Sequence, residues 1–327
     1  MLSTLSEEAE AIEPQKKPMQ KIYSVVSMFS GCGGIDLGFM GGFSFLGKKY
    51  GKNPYRIIWA NDMNVAACRS YEKNLNHKIH VGDVWEAMES LPSPDEVDIV
   101  IGGFPCQDIS VNGKGLGVNG ERSGLYRAMV EAVKILKPKA FVAENVKGLL
   151  MKHNAESLDI VLKEFRSLGY DVSIHLYNAA DYGVPQTRER VFIVGTLPEV
   201  GAFIPPEPTH EDSWITAQEA LHDLEKLEEN PEFNHIWSKA KKSPDQGNRR
   251  LQVDRAAYTI RAECHGNIQY HYGLDRRISM REAARIQSFP DEFIFQAKLR
   301  ESERQIGNAV PPVLAWHICR SLLDTLK

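Results

Sequence analysis

Two residues with obvious chemistry, Cys106 and Glu144, each stand at the end of an apolar run. Cys106 lies in VDIVIGGFPCQDIS (97–110), behind a Gly-Gly pair and the stiffening Pro105, with Gln107, Asp108 and Ser110 making the surroundings polar. A thiol held there suits nucleophilic attack if a neighbour or the substrate helps to ionise it. The plainer alternative is a small buried core residue, the usual fate of a lone cysteine. Glu144 closes KAFVAENV (139–146), where a carboxyl could protonate a substrate ring that must become electrophilic, or merely cap a helix or pair with a cation. No histidine lies near either motif in the sequence, so the pair favours addition to a conjugated heterocycle over acyl transfer.

A third cluster concerns a ligand. Ser30-Gly31-Cys32-Gly33-Gly34 follows the β-branched run IYSVVSMF (22–29), and a glycine turn between strand and helix admits a ligand to the backbone. The helix amino end suits an anion there. Asp36 occupies the place of the third glycine of GxGxxG, and no GK[ST] follows, so a P-loop is excluded. Alone, the turn reads as purely structural. Asp62, closing YRIIWAND (55–62), adds an acid where ribose hydroxyls are bound in this architecture, and together they favour a nucleoside-bearing cofactor.

These residues need a scaffold that brings strand ends together. Strands at 22–29, 55–62, 97–103 and 139–146, with short KIHVGDV (78–84), alternate with helices at about 65–74 and 123–136. The pattern predicts an α/β fold, a doubly wound, mostly parallel Rossmann-like sheet, with a second, smaller domain. Ligands collect at the carboxyl ends of such strands, where the glycine turn, Asp62, Asp83, Cys106 and Glu144 all fall. Past Val194 the chain becomes rich in proline and glycine. The expected division is a disordered acidic tail (1–20), a catalytic and cofactor-binding domain (21–199 plus 300–327) and a small domain (200–299). The small domain holds an amphipathic stretch at 216–229 and a helix at 279–287. QIGNAVPPVLAWHICRSLLDTL makes a Gly/Pro turn and a closing apolar helix that packs back on the first domain.

Composition sets the outer limits. The chain has 327 residues, 43% hydrophobic and 25% charged, enough for a full core. Its apolar runs fall short of the ~18 residues of a membrane span, and its start lacks the order of a signal peptide, so a cytoplasmic protein is expected. Five scattered cysteines without CxxC spacing suggest thiols, with neither a disulfide framework nor a metal site. The net charge of −4 argues against a chain coated for nucleic acid, yet residues 237–285 carry eleven basic side chains against five acidic ones. A phosphate backbone and an ordinary solvated face account equally for that excess.

In order, SMFSGCGGIDLGF, GGFPCQDIS, AENV, QTRERVFIVG, RRISMREAARIQSFPD and QIGNAVPP resemble the motifs of the bacterial-type DNA (cytosine-5)-methyltransferase family, from Met28 to Pro312. The resemblance implies that Cys106 adds to C6 of a cytosine while Glu144 holds and protonates N3, with methyl supplied by S-adenosylmethionine. It gives Arg188 and Arg190 to the cytosine carbonyl and nearby backbone. Phe29, Ser30, Gly31, Gly33 and Gly34 would line the cofactor, Asp62 would bind its ribose, Asp83 would reach its adenine amino group, and Asn308 would support the pocket. Family members often carry Glu at the place of Asp62, and the shorter acid has less reach. Glycine-rich 112–124 would be a flap closing on a base turned out of the duplex.

Gln107, Ser110, Arg249, Arg250, Arg255, Arg261, Asn267, Gln269, Arg276 and Arg277 would contact DNA, most of them within a target-recognition domain at 200–299 whose stretch 257–272 reads base edges. The partner implied is double-stranded DNA, with no membrane and no metal. The protein would act as a monomer, either as the modification half of a restriction–modification system whose endonuclease works separately or as an orphan methylase. A tRNA methyltransferase on the same scaffold, which would need no developed region at 200–275, and a nucleotide-dependent oxidoreductase, which gives Cys106 no role, are the alternatives.

Overall fold

The apolar runs become strands because both faces of the sheet they form are covered. The computed structural model describes residues 21–104, 124–239, 249–262 and 269–327; the expected acidic tail lies outside these. In chain order the elements are β1 (Tyr23–Met28), α1 (Gly34–Met40), the hairpin β2 (Phe43–Phe45) and β3 (Lys48–Tyr50), β4 (Tyr55–Asp62), α2 (Val65–Leu75), β5 (His80–Val81), α3 (Val84–Ala87), β6 (Ile99–Gly103), α4 (Leu125–Leu136) and β7 (Ala140–Val146). There follow α5 (Ala155–Ser167), β8 (Asp171–Asn178), β9 (Gln186–Thr187), β10 (Glu189–Thr196), α6 (Ala217–Leu221), β11 (Ala257–Tyr258), α7 (Met280–Ile286), α8 (Leu299–Asn308) and α9 (Pro312–Thr325).

Seven strands form one sheet in the order β5-β4-β1-β6-β7-β10-β8. The five from β5 to β7 run parallel, and β10 is antiparallel to both its neighbours. The chain winds outward from β1 through β4 to β5, then returns to place β6 on the other side of β1. That reversal opens a crevice beyond the carboxyl ends of β1 and β6. Side chains alternate between two cores: Val25, Ile57, Ile99 and Val142 meet α1, α2 and α9, while Val26, Trp59, Val100 and Phe141 meet α4 and α5. The closing helix α9 does pack back on the first part, so closely that a Cβ on Gly38 of α1 would lie 2.4 Å from the Ala315 Cβ.

A third apolar cluster, built on Leu251, Ile260, Ile278, Phe289, Phe293 and Phe295, supports the chain after the sheet. Ser279 and Glu282 form the capping box that starts α7, within the expected 279–287. The amphipathic stretch 216–229 is helical only in part: α6 ends at Leu221, and His222–Leu224 tighten into a 3-10 turn. Cys32, Cys68 and Cys319 are buried thiols. No helix among the described residues is long and apolar enough to cross a membrane, and no group of three or more metal-ligating side chains is assembled among them.

Candidate active site

β1 delivers its last residue into a reversal: Phe29, Gly31 and Gly33 all have positive φ, at 54°, 57° and 91°. For phenylalanine this left-handed conformation is strained, as residues at ligand sites often are. Gly33 must lack a side chain, since a Cβ would sit 2.4 Å from Leu75 Cδ1. The turn wraps against the end of β4. Asp62 accepts from the Gly31 N–H (2.8 Å) through Oδ2 and from the Asn64 N–H (2.8 Å) through Oδ1. Burial raises the Asp62 pKa, and these two bonds oppose that rise. Asn64 caps α2 by accepting from the Ala66 and Ala67 amides. Asn61 donates to His80 O and Gly82 O, fixing the turn that carries Asp83, whose carboxylate caps α3.

Across the crevice, β6 and β7 bring Gly103 beside Glu144 in register. Both glycines belong to β6, and their missing side chains make room. A Cβ on Gly102 would stand 2.9 Å from Met28 O, and one on Gly103 2.9 Å from Glu144 Oε2. Arg190 on the antiparallel β10 places its Nε 2.8 Å from Glu144 Oε1. Burial raises the Glu144 pKa, and Arg190 and then Arg188 pull it back. Asn145, whose role the sequence reading missed, donates to Phe104 O (3.0 Å) and so holds the chain where it leaves β6. Gly103→Ala is expected to keep the fold but push the carboxyl aside, lowering kcat about 10- to 100-fold, as steady-state kinetics with the melting temperature as control would measure.

One cleft of about 470 Å3 collects these groups: Phe29, Ser30, Gly31, Gly34, Asp62, Asp83, Glu144, Arg190 and Asn308 all line it. Its walls therefore join the nucleoside-type acids to the Glu144–Arg190 pair. Cys106, Gln107, Ser110, Asn267 and the expected flap at 112–124 lie outside the described residues, apart from Gly124, which precedes α4.

Arg188 corrects the expectation of a substrate contact. Its side chain is fully buried and donates to Ile260 O (2.7 Å), Gly307 O (2.7 Å) and Ala309 O (3.1 Å). It is a strut between the β11 segment and the loop joining α8 to α9. Arg188→Met should leave these carbonyls unpaired and destabilise the protein by roughly 3–5 kcal/mol, read as a large fall in the denaturation midpoint.

Several expected DNA contacts are also corrected by burial. Gln269 is 5% exposed and donates toward Tyr258 O and Thr259 O. Arg276 is clamped bidentately on the buried Glu282 (2.7 and 2.8 Å) and covered by the Trp237 ring. Arg277, 4% exposed, lies over the Tyr270 ring, whereas Arg250 donates to His271 O and Leu274 O while its side chain stays exposed. Arg249 (over the face of Tyr258), Arg250, Arg255 and Arg261 remain on the surface.

A mostly parallel sheet of this order, with a glycine turn, two acids and a Glu–Arg pair along its carboxyl edge, defines a Rossmann-like methyltransferase fold. The family model described as C-5 cytosine-specific DNA methylase matches residues 23–251 and 208–324, and the chain belongs to that family. It is 37% identical over 332 residues to the type II methyltransferase M.NgoFVII of Neisseria gonorrhoeae, covering 91% of this chain and 86% of the relative. It is 36% identical over 339 residues to M.FnuDI of Fusobacterium nucleatum, covering 92% and 94%. The fold matches the solved structure of the Entamoeba histolytica methyltransferase EhMeth with a TM-score of 0.68 at 19% identity, covering 94% of this chain and all of that one.

Proposed function

We propose that this protein methylates C5 of a cytosine within a specific sequence of double-stranded DNA, with S-adenosylmethionine as donor. The observation that carries the reading is the single cleft in which Asp62 and Asp83 face the same space as Glu144 and Arg190. The residues present fit the donor: the Phe29–Gly34 turn would approach it, Asp62 would accept from its ribose and Asp83 from its adenine amino group, all on the lining of the one cleft. When bound, S-adenosylmethionine supplies an electrophilic methyl group.

The chain supplies the rest. The Cys106 thiolate bonds to C6 of the cytosine as Glu144 gives a proton to N3, so that an unreactive aromatic carbon becomes the nucleophilic end of an enamine. Arg190 orients the Glu144 carboxyl and offers a donor near the cytosine carbonyl. Loss of the C5 proton after transfer restores the double bond, expels the cysteine and returns the N3 proton. The base must leave the duplex for this chemistry, and residues 200–299 form the part that selects its sequence, with Arg249, Arg250, Arg255 and Arg261 as surface donors. The developed chain from 200 to 275 favours DNA over tRNA.

The test supplies labelled S-adenosylmethionine with mixed genomic DNA and, separately, with tRNA, then sequences the modified positions. Label at one cytosine context in DNA is expected. Label confined to tRNA would overturn the substrate, and no label in either would overturn the activity.

A further inference from the structure

A carboxyl beneath the glycine turn has no part in the chemistry described so far. Asp36, in the first turn of α1, is fully buried, and a carboxyl removed from water is costly unless its surroundings complete it. Its Oδ1 accepts from the Tyr71 hydroxyl of α2 (3.1 Å), whereas Oδ2 has no hydrogen-bond partner. Ile35, its chain neighbour, lines the cleft, as do Ser30, Gly31, Cys32 and Gly34 before it. We propose that the ionisation of Asp36 is coupled to the charge of the bound cofactor, the carboxylate form holding the sulfonium donor in preference to the neutral product; the inference rests on the donor proposed above.

Methyl transfer changes the charge of the ligand and little else. The sulfonium of S-adenosylmethionine becomes a neutral thioether, while the amino-acid and nucleoside ends stay as they were. Consecutive Cα atoms are 3.8 Å apart, so a charge bound against Ile35 and the turn lies within about 10 Å of Asp36. Across a buried path of that length a unit charge is felt strongly and salt screens it poorly.

The surroundings leave Asp36 poised for such an influence. Burial pushes its pKa up to about 7, the Ser27 and Tyr71 hydroxyls oppose the rise, and the Asp62 charge adds to it. The other titratable groups about it bring no positive charge at neutral pH. Burial raises the thiols of Cys32 in the turn and of Cys68 behind Tyr71, and raises the Tyr71 hydroxyl itself. His77, whose Nδ1 lies 3.5 Å from that hydroxyl, is lowered by burial. From α9, the Cys319 thiol meets Gly38 O and is likewise raised. A cation arriving with the ligand therefore has no rival among these groups. The sign follows: the donor lowers the Asp36 pKa, a proton leaves to solvent as it binds, and the proton returns when the neutral product takes its place. Donor affinity should rise as pH climbs through about 7, and product affinity should not.

The discriminating probes are S-adenosylmethionine and S-adenosylhomocysteine, titrated calorimetrically into the full-length protein without DNA from pH 6 to 8. They share the amino-acid end, so its own titration is common to both and the difference between them reports the sulfonium. The ratio of donor to product affinity is expected to grow about 3- to 10-fold over this span, and Asp36→Asn should leave the ratio flat. Tyr71→Phe, which removes a hydrogen bond to the carboxylate, should move the rise to higher pH, a shift that tests the coupling even where the asparagine variant fails to fold. A ratio that does not change with pH, a rise that survives Asp36→Asn, or one that stays at the same pH in Tyr71→Phe would overturn the inference while leaving the cofactor assignment intact. A wild-type protein that binds neither compound would overturn the donor itself and the role of Asp36 with it.

Discussion

Cys106→Ser is expected to lower methyl transfer into DNA by roughly 10^4-fold or more, with cofactor binding unchanged. A serine hydroxyl keeps the shape and loses the nucleophile, because a thiol ionises near pH 8.5 and an alcohol does not ionise in that range. The described residues ahead of it support this role. Gly103 is in register with Glu144, and Asn145 holds Phe104 O, so the chain leaves β6 beside the carboxyl that would protonate the ring. DNA with 5-fluorocytosine at the target position separates the covalent route from simple loss of activity. Fluorine cannot leave C5 as a proton does, so the wild-type protein should remain bonded to such DNA on a denaturing gel, and the serine variant should not. Undiminished transfer by Cys106→Ser, or no trapped complex with the wild type, would rule out the adduct.

The central strands were legible because a strand covered on both faces must be apolar almost throughout, as YSVVSM and IVIGG are. β8 was not: it pairs only with β10, and DVSIHLYN mixes polar and apolar residues with much of it partly exposed. The acids at strand ends were legible for a similar reason, since architecture alone sends Asp62, Asp83 and Glu144 to the crevice. The arginines were not. A guanidinium serves a phosphate and a set of buried carbonyls equally well, and composition carries no trace of which it meets. Arg188 finds its partners at Ile260 and Gly307, 72 and 119 residues along the chain, and Arg276 is committed to Glu282 by the fold of the segment around it. Part of the local basic excess is therefore internal scaffolding. Gly102 and Gly103 show the same limit, since the clearance they give to Met28 and Glu144 is visible only once the neighbours are known.

Glu144→Gln is expected to cut kcat by about 10^2- to 10^4-fold and to spare DNA affinity, because an amide can still donate to N3 but has no acidic proton to give. The pH dependence distinguishes these roles. Burial is the largest influence on Glu144 and raises its pKa above the ordinary value near 4.3, against the pull of Arg190 and Arg188. A raised pKa keeps the proton on the carboxyl to higher pH, so the acid form is present below the shifted value and is lost as pH rises through it. Cys106 titrates in the opposite sense, gaining thiolate as pH rises. The wild-type protein should therefore show a rate that climbs with thiolate formation and falls where the Glu144 proton is lost, each limb belonging to the coupled site. The glutamine variant should lose the descending limb and keep the ascending one. Arg190→Gln should act in the reverse direction on the same carboxyl: without the cation at 2.8 Å, the neutral acid persists to higher pH and the descending limb moves up. A descending limb that survives Glu144→Gln unchanged would assign it to another group and remove Glu144 as the proton donor.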